Sequence, residues 1–244
     1  MLFDTHLHLD LFEDPQSLIK NIEKRQIYTI AVTNLPKVFF HTKKLCEGYK
    51  YVRPALGYHP ELVFKFSDQL ELFLKYLDET KYIGEIGLDN QKKSVDDFTK
   101  QKQIFEKIIF ACAEKRDKIL TIHSRKAEKE VLSILGNSFP GTIILHWYSG
   151  SLRDLETALS YGFYFSINSA MLKSKNGLNI IKNIPDDRLL LESDSPFIGV
   201  DKSSKIPYNA ESLIQELSAL KKCHSEILQR KLHDNFRNIL SIKH

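Results

Sequence analysis

Cysteine is scarce and scattered. The three cysteines, Cys46, Cys112 and Cys223, are odd in number and far apart, and no CxxC occurs. That argues against a disulfide framework and against a cysteine-built zinc site. Long apolar runs are missing too, so no membrane span is expected. No charge of one sign dominates: the net charge of the 244-residue chain is only +4, which permits an anionic partner without demanding one. Low-complexity tracts, linkers and breaks in composition are absent, so one domain over residues 1–244 is the economical reading. The window holding Asp4, His6, His8 and Asp10 is unlike a secretory signal peptide. A reduced, cytoplasmic protein is expected.

What is present is alternation. Short apolar runs at 2–8, 28–33, 52–58, 82–88, 119–124, 142–147, 163–168 and 188–193 read as strands. Amphipathic segments lie between them, most clearly 95–116, where Phe98, Ile104, Phe105, Ile108, Ile109 and Cys112 recur near helical spacing. Ser151 and Gly162 bracket another helix as N-cap and stop. Pro15, Pro36 and Pro185 fall in turns or first helical turns, and 224–240 reads as a closing helix. The polar loop 200–208 is expected over the top of the barrel. Strict β/α alternation implies a parallel sheet, and eight units of roughly 25–30 residues imply a closed (β/α)8 TIM barrel. A doubly wound open sheet is the competing α/β architecture.

Strands buried on both faces should be almost wholly apolar. Five of these carry ionisable residues at or near their C-terminal ends: His6 and His8, Glu85, His123, His146 and Asp194. Barrel enzymes build their active sites at those ends. Strand side chains alternate, so His6 and His8 share one face. Two such imidazoles with a carboxylate suit a divalent ion. Glu85, between Gly84 and Gly87, is placed to bridge two ions. His123 and His146 suit a second ion, and Asp194 can ligate the first and orient or deprotonate its water. Taken singly, His123 or His146 is more simply a core histidine, ESDSP a capped turn and GEIGLD a glycine-kinked strand. Their joint occurrence in order is what points to a metal centre.

DTHLHLD, ALGYHP, GEIGLD, TIHSR, HWYSG and ESDSP, in this order, resemble the TatD-like metal-dependent deoxyribonucleases over nearly the whole chain. HWYSG and INSAML (167–172) are most similar to the TatD-like component of Qat anti-phage defence systems. The resemblance implies a barrel of the amidohydrolase-like metal-dependent hydrolase type. It implies one ion on His6, His8, Asp194 and Glu85, and a second on Glu85, His123 and His146, the metals being Mg²⁺, Mn²⁺ or Zn²⁺. It further implies hydrolysis of DNA phosphodiesters, often from the 3′ end with single strands favoured, and defence-system proteins as partners. His59 of ALGYHP takes a substrate or catalytic role in that reading. Asn90 stands where many members carry an aromatic residue, which touches substrate stacking rather than metals.

Around these residues, Arg125 is a phosphate fork or simply a surface arginine opening a helix. Tyr58, Trp147, Tyr148 and Phe197 either stack on unpaired bases or pack, with Trp147 the first choice for stacking. His41, His224, His233 and His244 read as surface or packing residues. Lys43, Lys44, Lys221 and Lys222 read as solvated, and KKS (92–94) as a weak steering element for DNA. Two alternatives stand beside the nuclease. One is a related metal hydrolase acting on a lactone, an amide or an aminoacyl ester. The other is a subunit of a defence complex gated by its partner.

Overall fold

The structure, a computed structural model, describes residues 2–91, 93–199, 202–203 and 209–241. All eight expected strands form: β1 (Phe3–Leu7), β2 (Tyr28–Ala31), β3 (Val52–Pro54), β4 (Tyr82–Gly87), β5 (Ile119–His123), β6 (Thr142–His146), β7 (Tyr164–Ile167) and β8 (Leu189–Leu191). They pair in parallel as two arcs, β1-β2-β3 and β4-β5-β6-β7-β8. Backbone bonds beyond the strands join the arcs at both seams. Leu56 N–H donates to Tyr82 O (3.0 Å) and Gly84 N–H to Leu56 O (2.9 Å); Asp194 N–H donates to His6 O and His8 N–H to Ser195 O (both 2.9 Å). The first strand therefore meets the last, which a doubly wound open sheet cannot do.

Helices follow the strands. α1 (Pro15–Arg25) and α2 (Pro36–Leu45) each begin with the expected proline at the first position. Two short helices, α3 (Pro60–Val63) and α4 (Leu70–Tyr76), follow β3. The long α5 (Val95–Lys115) is N-capped by Ser94 and ends where Arg116 turns left-handed (φ 62°), one residue before the expected boundary. α6 (Glu128–Leu135) follows β5, and α7 (Leu152–Ser160) is capped by Ser151 as expected. α8 (Ser169–Leu172) and α9 (Lys175–Asn183) follow β7; α10 (Ala210–Lys221) and α11 (Ser225–Ser241) follow β8. Pro185 starts a single tight turn at Asp186–Arg188.

The strands are buried on both faces, against the barrel interior and against the helices. On α5, Ile104, Phe105, Ile108, Ile109 and Cys112 are all buried, as their spacing requires. α11 covers the N-terminal strand ends. Phe236 stacks on Phe3 (4.3 Å), and Asn235 donates to Leu189 O (2.8 Å). At the other end the walls approach closely. A Cβ on Gly57 would lie 1.6 Å from Thr33 O and 2.6 Å from Glu85 N, so only glycine lets β3 run on beside Glu85. Of the loop expected over the barrel mouth, all but Lys202 and Ser203 lies outside the described residues, as does His244. Lys202 O accepts from Glu13 N–H (3.1 Å). No helix among the described residues is long and apolar enough to cross a membrane.

Candidate metal centre

The strand ends deliver all six expected groups to one cavity mouth. His6 and His8, on one face of the β1 end, bring their Nε2 atoms within 3.2 Å of each other. Glu85 lies between two sets of imidazoles. Its Oε2 is 3.5 Å from His6 Nε2 and 3.4 Å from His8 Nε2. Its Oε1 is 2.7 Å from His123 Nδ1, 3.0 Å from His146 Nε2 and 3.4 Å from His59 Nε2. Asp194 Oδ1 is 3.5 Å from His8 Nε2 and 3.8 Å from His6 Nε2.

Potential ligand atoms cluster within 4.8 Å as His6–His8–Asp194, His6–Glu85–His146 and His59–Glu85–His123. This differs in detail from the expected division. His146 stacks on His6 (4.0 Å between ring centroids) as well as sharing Glu85 with His123, and His59 takes the third place beside His123. Both carboxylates are buried, and among the described residues neither Glu85 nor Asp194 pairs with a lysine or arginine. Buried charge needs compensation. A ring of imidazole nitrogens around two buried carboxylates is a donor set that divalent cations fit.

Charge sharing sets the proton affinities. Burial alone would raise Glu85, but the charges of His59 and His146 and hydrogen bonds from His123 and His146 hold it well below the usual carboxylate range. Burial opposes charge on His8, yet Asp194 and Glu85 hold it up to about 9. His146 is likewise held up against burial by Glu192 and Glu85, whereas burial, aided by His146, pushes His6 down. A histidine ligates only when neutral, so protons and cations compete for the same lone pairs. Divalent-ion affinity is therefore expected to climb as pH rises from neutral towards about 9, where His8 loses its proton. The slope should be about tenfold per pH unit for each proton displaced. Mn²⁺ titrations at stepped pH check this; a flat profile would contradict it.

Three further carboxylates belong to the site and are not singled out by the motifs' obvious letters. Asp89 Oδ2 lies 2.9 Å from His123 Nε2. Glu192, hydrogen-bonded by Ser166 and by Asn168 (2.8 Å), stands 3.5 Å from His146 Nδ1. Asp4 accepts from the backbone N–H groups of His6 (3.1 Å) and Ser193 (2.9 Å), pinning β1 to the segment after β8. Burial pushes Asp4 up to about 7. Strand parity was the available signal: Asp4, Asp89 and Glu192 stand an even number of residues from His6, Glu85 and Asp194.

The mouth opens into a cavity of about 440 Å³ whose lining includes His59, Glu61, Arg125, Trp147 and Phe197. Arg125 is exposed, and among the described residues its guanidinium has no ion-pair partner. Trp147 is half-buried in a left-handed backbone (φ 39°), and Phe197 is exposed, edge-on to His8 at 5.0 Å. Asn90, also exposed, ties its backbone N–H to Arg125 O (3.0 Å).

Other expectations need correction. Tyr58 and Tyr148 are buried, with their hydroxyls given to Phe66 O and Ser151 O, so neither is free to stack on a base. Lys43 pairs with Glu79 (2.6 Å) and Lys221 with Asp186 (3.0 Å), so these two are not merely solvated. In the KKS run Lys93 is committed to Glu61 (3.1 Å) and Ser94 caps α5, while Lys92 lies outside the described residues. His41 and His224 are exposed, as expected, and His233 is half-buried.

A barrel of this topology, with a histidine–carboxylate cluster at the C-terminal strand ends, is the architecture of metal-dependent hydrolases. The family model for TatD related DNase matches residues 3–241, and the chain belongs to that family. It is a TatD-family metal-dependent hydrolase. It is similar to an uncharacterised metal-dependent hydrolase, YabD, of Bacillus subtilis, at 29% identity over 81% of each chain. It is also similar to the human deoxyribonuclease TATDN3, at 25% identity over 90% of this chain and 87% of that one. The crystal structure of the Escherichia coli TatD homologue YjjV shares the fold, with a TM-score of 0.84 at 23% identity, covering 99% of this chain and 98% of that one.

Proposed function

We propose that this chain, as one domain over 1–244, hydrolyses DNA phosphodiesters from the 3′ end of single strands. The observation that carries the reading is Glu85 itself: its two oxygens face two different sets of imidazoles. On that basis His6, His8, Asp194 and Glu85 hold one divalent ion, and Glu85, His123 and His146 hold another, with Mg²⁺, Mn²⁺ and Zn²⁺ as candidates. Family membership and a relative named a deoxyribonuclease support DNA as substrate.

Bound ions supply Lewis acidity, lowering the pKa of water and offsetting charge on phosphate oxygens. The chain's own groups do the rest. Asp194, at the mouth, accepts the proton of the attacking water. Arg125, with no competing carboxylate, forks the phosphate. His59 presents Nε2 to the reacting group: its Nδ1 accepts the Glu61 N–H (3.2 Å), so the ring proton sits on Nε2 and is available to the leaving 3′-oxygen. Trp147 stacks on an unpaired base. The Qat-type motifs HWYSG and INSAML extend the proposal to an anti-phage setting in the cytoplasm with defence-system partners.

The test uses 5′-labelled single-stranded DNA with Mg²⁺, Mn²⁺ or Zn²⁺ in turn. A ladder shortening from the 3′ end is expected. Ion uptake without cleavage would shift the reading to another ester or amide, or to an enzyme that a partner must open.

A further inference from the structure

Among the described residues, His123 alone in the cluster is hydrogen-bonded to carboxylates through both ring nitrogens: Nδ1 to Glu85 Oε1 (2.7 Å) and Nε2 to Asp89 Oδ2 (2.9 Å). A neutral imidazole has one N–H to give. One carboxylate receives it, and the other faces a lone pair. The surroundings decide which.

Glu85 is shared among five imidazoles and is the group that needs cations most. Asp89 has no such competition. It is buried, and its Oδ1 accepts the Gln91 N–H (2.8 Å), leaving Oδ2 for His123. Its own backbone N–H goes to Gln101 Oε1 (2.8 Å), from a buried glutamine on α5. Gln101 Nε2 in turn donates to Asp97 Oδ1 (3.0 Å). Asp89 is thus fixed from behind by the helix that follows its strand and cannot swing away from the ring.

We infer that Asp89 is a positioning residue. It holds the His123 proton on Nε2 and so turns the Nδ1 lone pair towards Glu85, ready for a divalent cation. The inference rests on the proposed reading of His123 and Glu85 as ligands. His59 gives the contrast. Its ring lies 5.0 Å from that of His123, and the Glu61 amide occupies its Nδ1. Two neighbouring histidines thereby face the same carboxylate oxygen with opposite equipment, a lone pair from His123 and an N–H from His59. What stands behind each ring assigns one as ligand and the other as donor. A carboxylate behind a metal-binding histidine both fixes the ring and raises its basicity.

The test compares the full-length, metal-stripped protein with Asp89→Ala and Asp89→Asn, using Mn²⁺ alone as the probe. In the alanine variant one Mn²⁺ site should weaken about 10–100-fold while the other is unchanged. In the asparagine variant the amide oxygen still accepts from Nε2–H, so most of the affinity should return. Long-range ¹H–¹⁵N spectra read the His123 tautomer directly: Nε2–H in the wild type and in Asp89→Asn, no longer fixed in Asp89→Ala. A merely structural aspartate would not move that signal. Wild-type affinities at both sites in Asp89→Ala would overturn the inference. So would a wild-type His123 protonated on Nδ1, whether or not any variant folds. Binding and tautomer as stated, with DNA left intact, would sink the nuclease reading and keep Asp89. DNA cleavage with an unaltered His123 in Asp89→Ala would do the reverse.

Discussion

Asp194→Asn is expected to lower turnover of a labelled single strand by about 10²–10⁴-fold, the span that a lost proton acceptor commands, while weakening Mn²⁺ binding far less. The substitution isolates the chemistry. Asp194 has a left-handed backbone (φ 48°), which asparagine adopts as readily as aspartate. Its N–H to His6 O and its carbonyl to Phe197 N–H (both 2.9 Å) are main-chain bonds that survive the change. The side chain is buried, and the amide has the same shape, so packing is kept. What disappears is a carboxylate able to take a proton, at 3.5 Å from His8 and 3.8 Å from His6. Gel assays under single-turnover conditions, run beside Mn²⁺ titrations, separate the two effects. Undiminished turnover would remove Asp194 from the proton-accepting role. Turnover and affinity falling in parallel would make it a ligand and nothing more.

Glu85→Gln is expected to empty both ion sites together, whereas His123→Ala should disturb one. Both Glu85 oxygens are engaged, and the carboxylate supplies the negative charge that the surrounding imidazoles share. Glutamine keeps the volume and the close fit beside Gly57, so the fold should hold, as circular dichroism would report. The loss is electrostatic. Metal-borne stabilisation of transition-state charge is worth several kcal/mol, so turnover should drop by about 10³-fold or more. Native mass spectrometry counts the ions directly. A glutamine variant that keeps two ions at wild-type affinity would end the bridging assignment.

Much of this molecule could be read along the chain. The eight apolar runs become β1 to β8, and the six residues that interrupt them meet at one mouth, because strand alternation and burial are local properties. The HxH pair is the sharpest example: residues two apart on a strand share a face whatever lies around them. Caps at Ser94 and Ser151 and prolines at the starts of α1 and α2 are equally local.

Other features had no local signature. The closure of β8 on β1 runs through main-chain atoms of His6, His8, Asp194 and Ser195, whose bonding no side-chain pattern announces. Tyr58 and Tyr148 stand beside motif residues yet point their hydroxyls into the wall, while Trp147 and Phe197 reach the cavity. Lys93 and Lys221 look like surface charge until Glu61 and Asp186 arrive beside them. The division of Glu85 between two sets of imidazoles, and the sorting of His123 from His59 by Asp89 and the Glu61 amide, depend on which atom of one segment faces which atom of another. Local spacing decided which residues reach the site. Strand register and side-chain orientation across the closed barrel decided what each of them meets there, because hydrogen bonds and charge pairs act over a few ångströms of space and not along the chain.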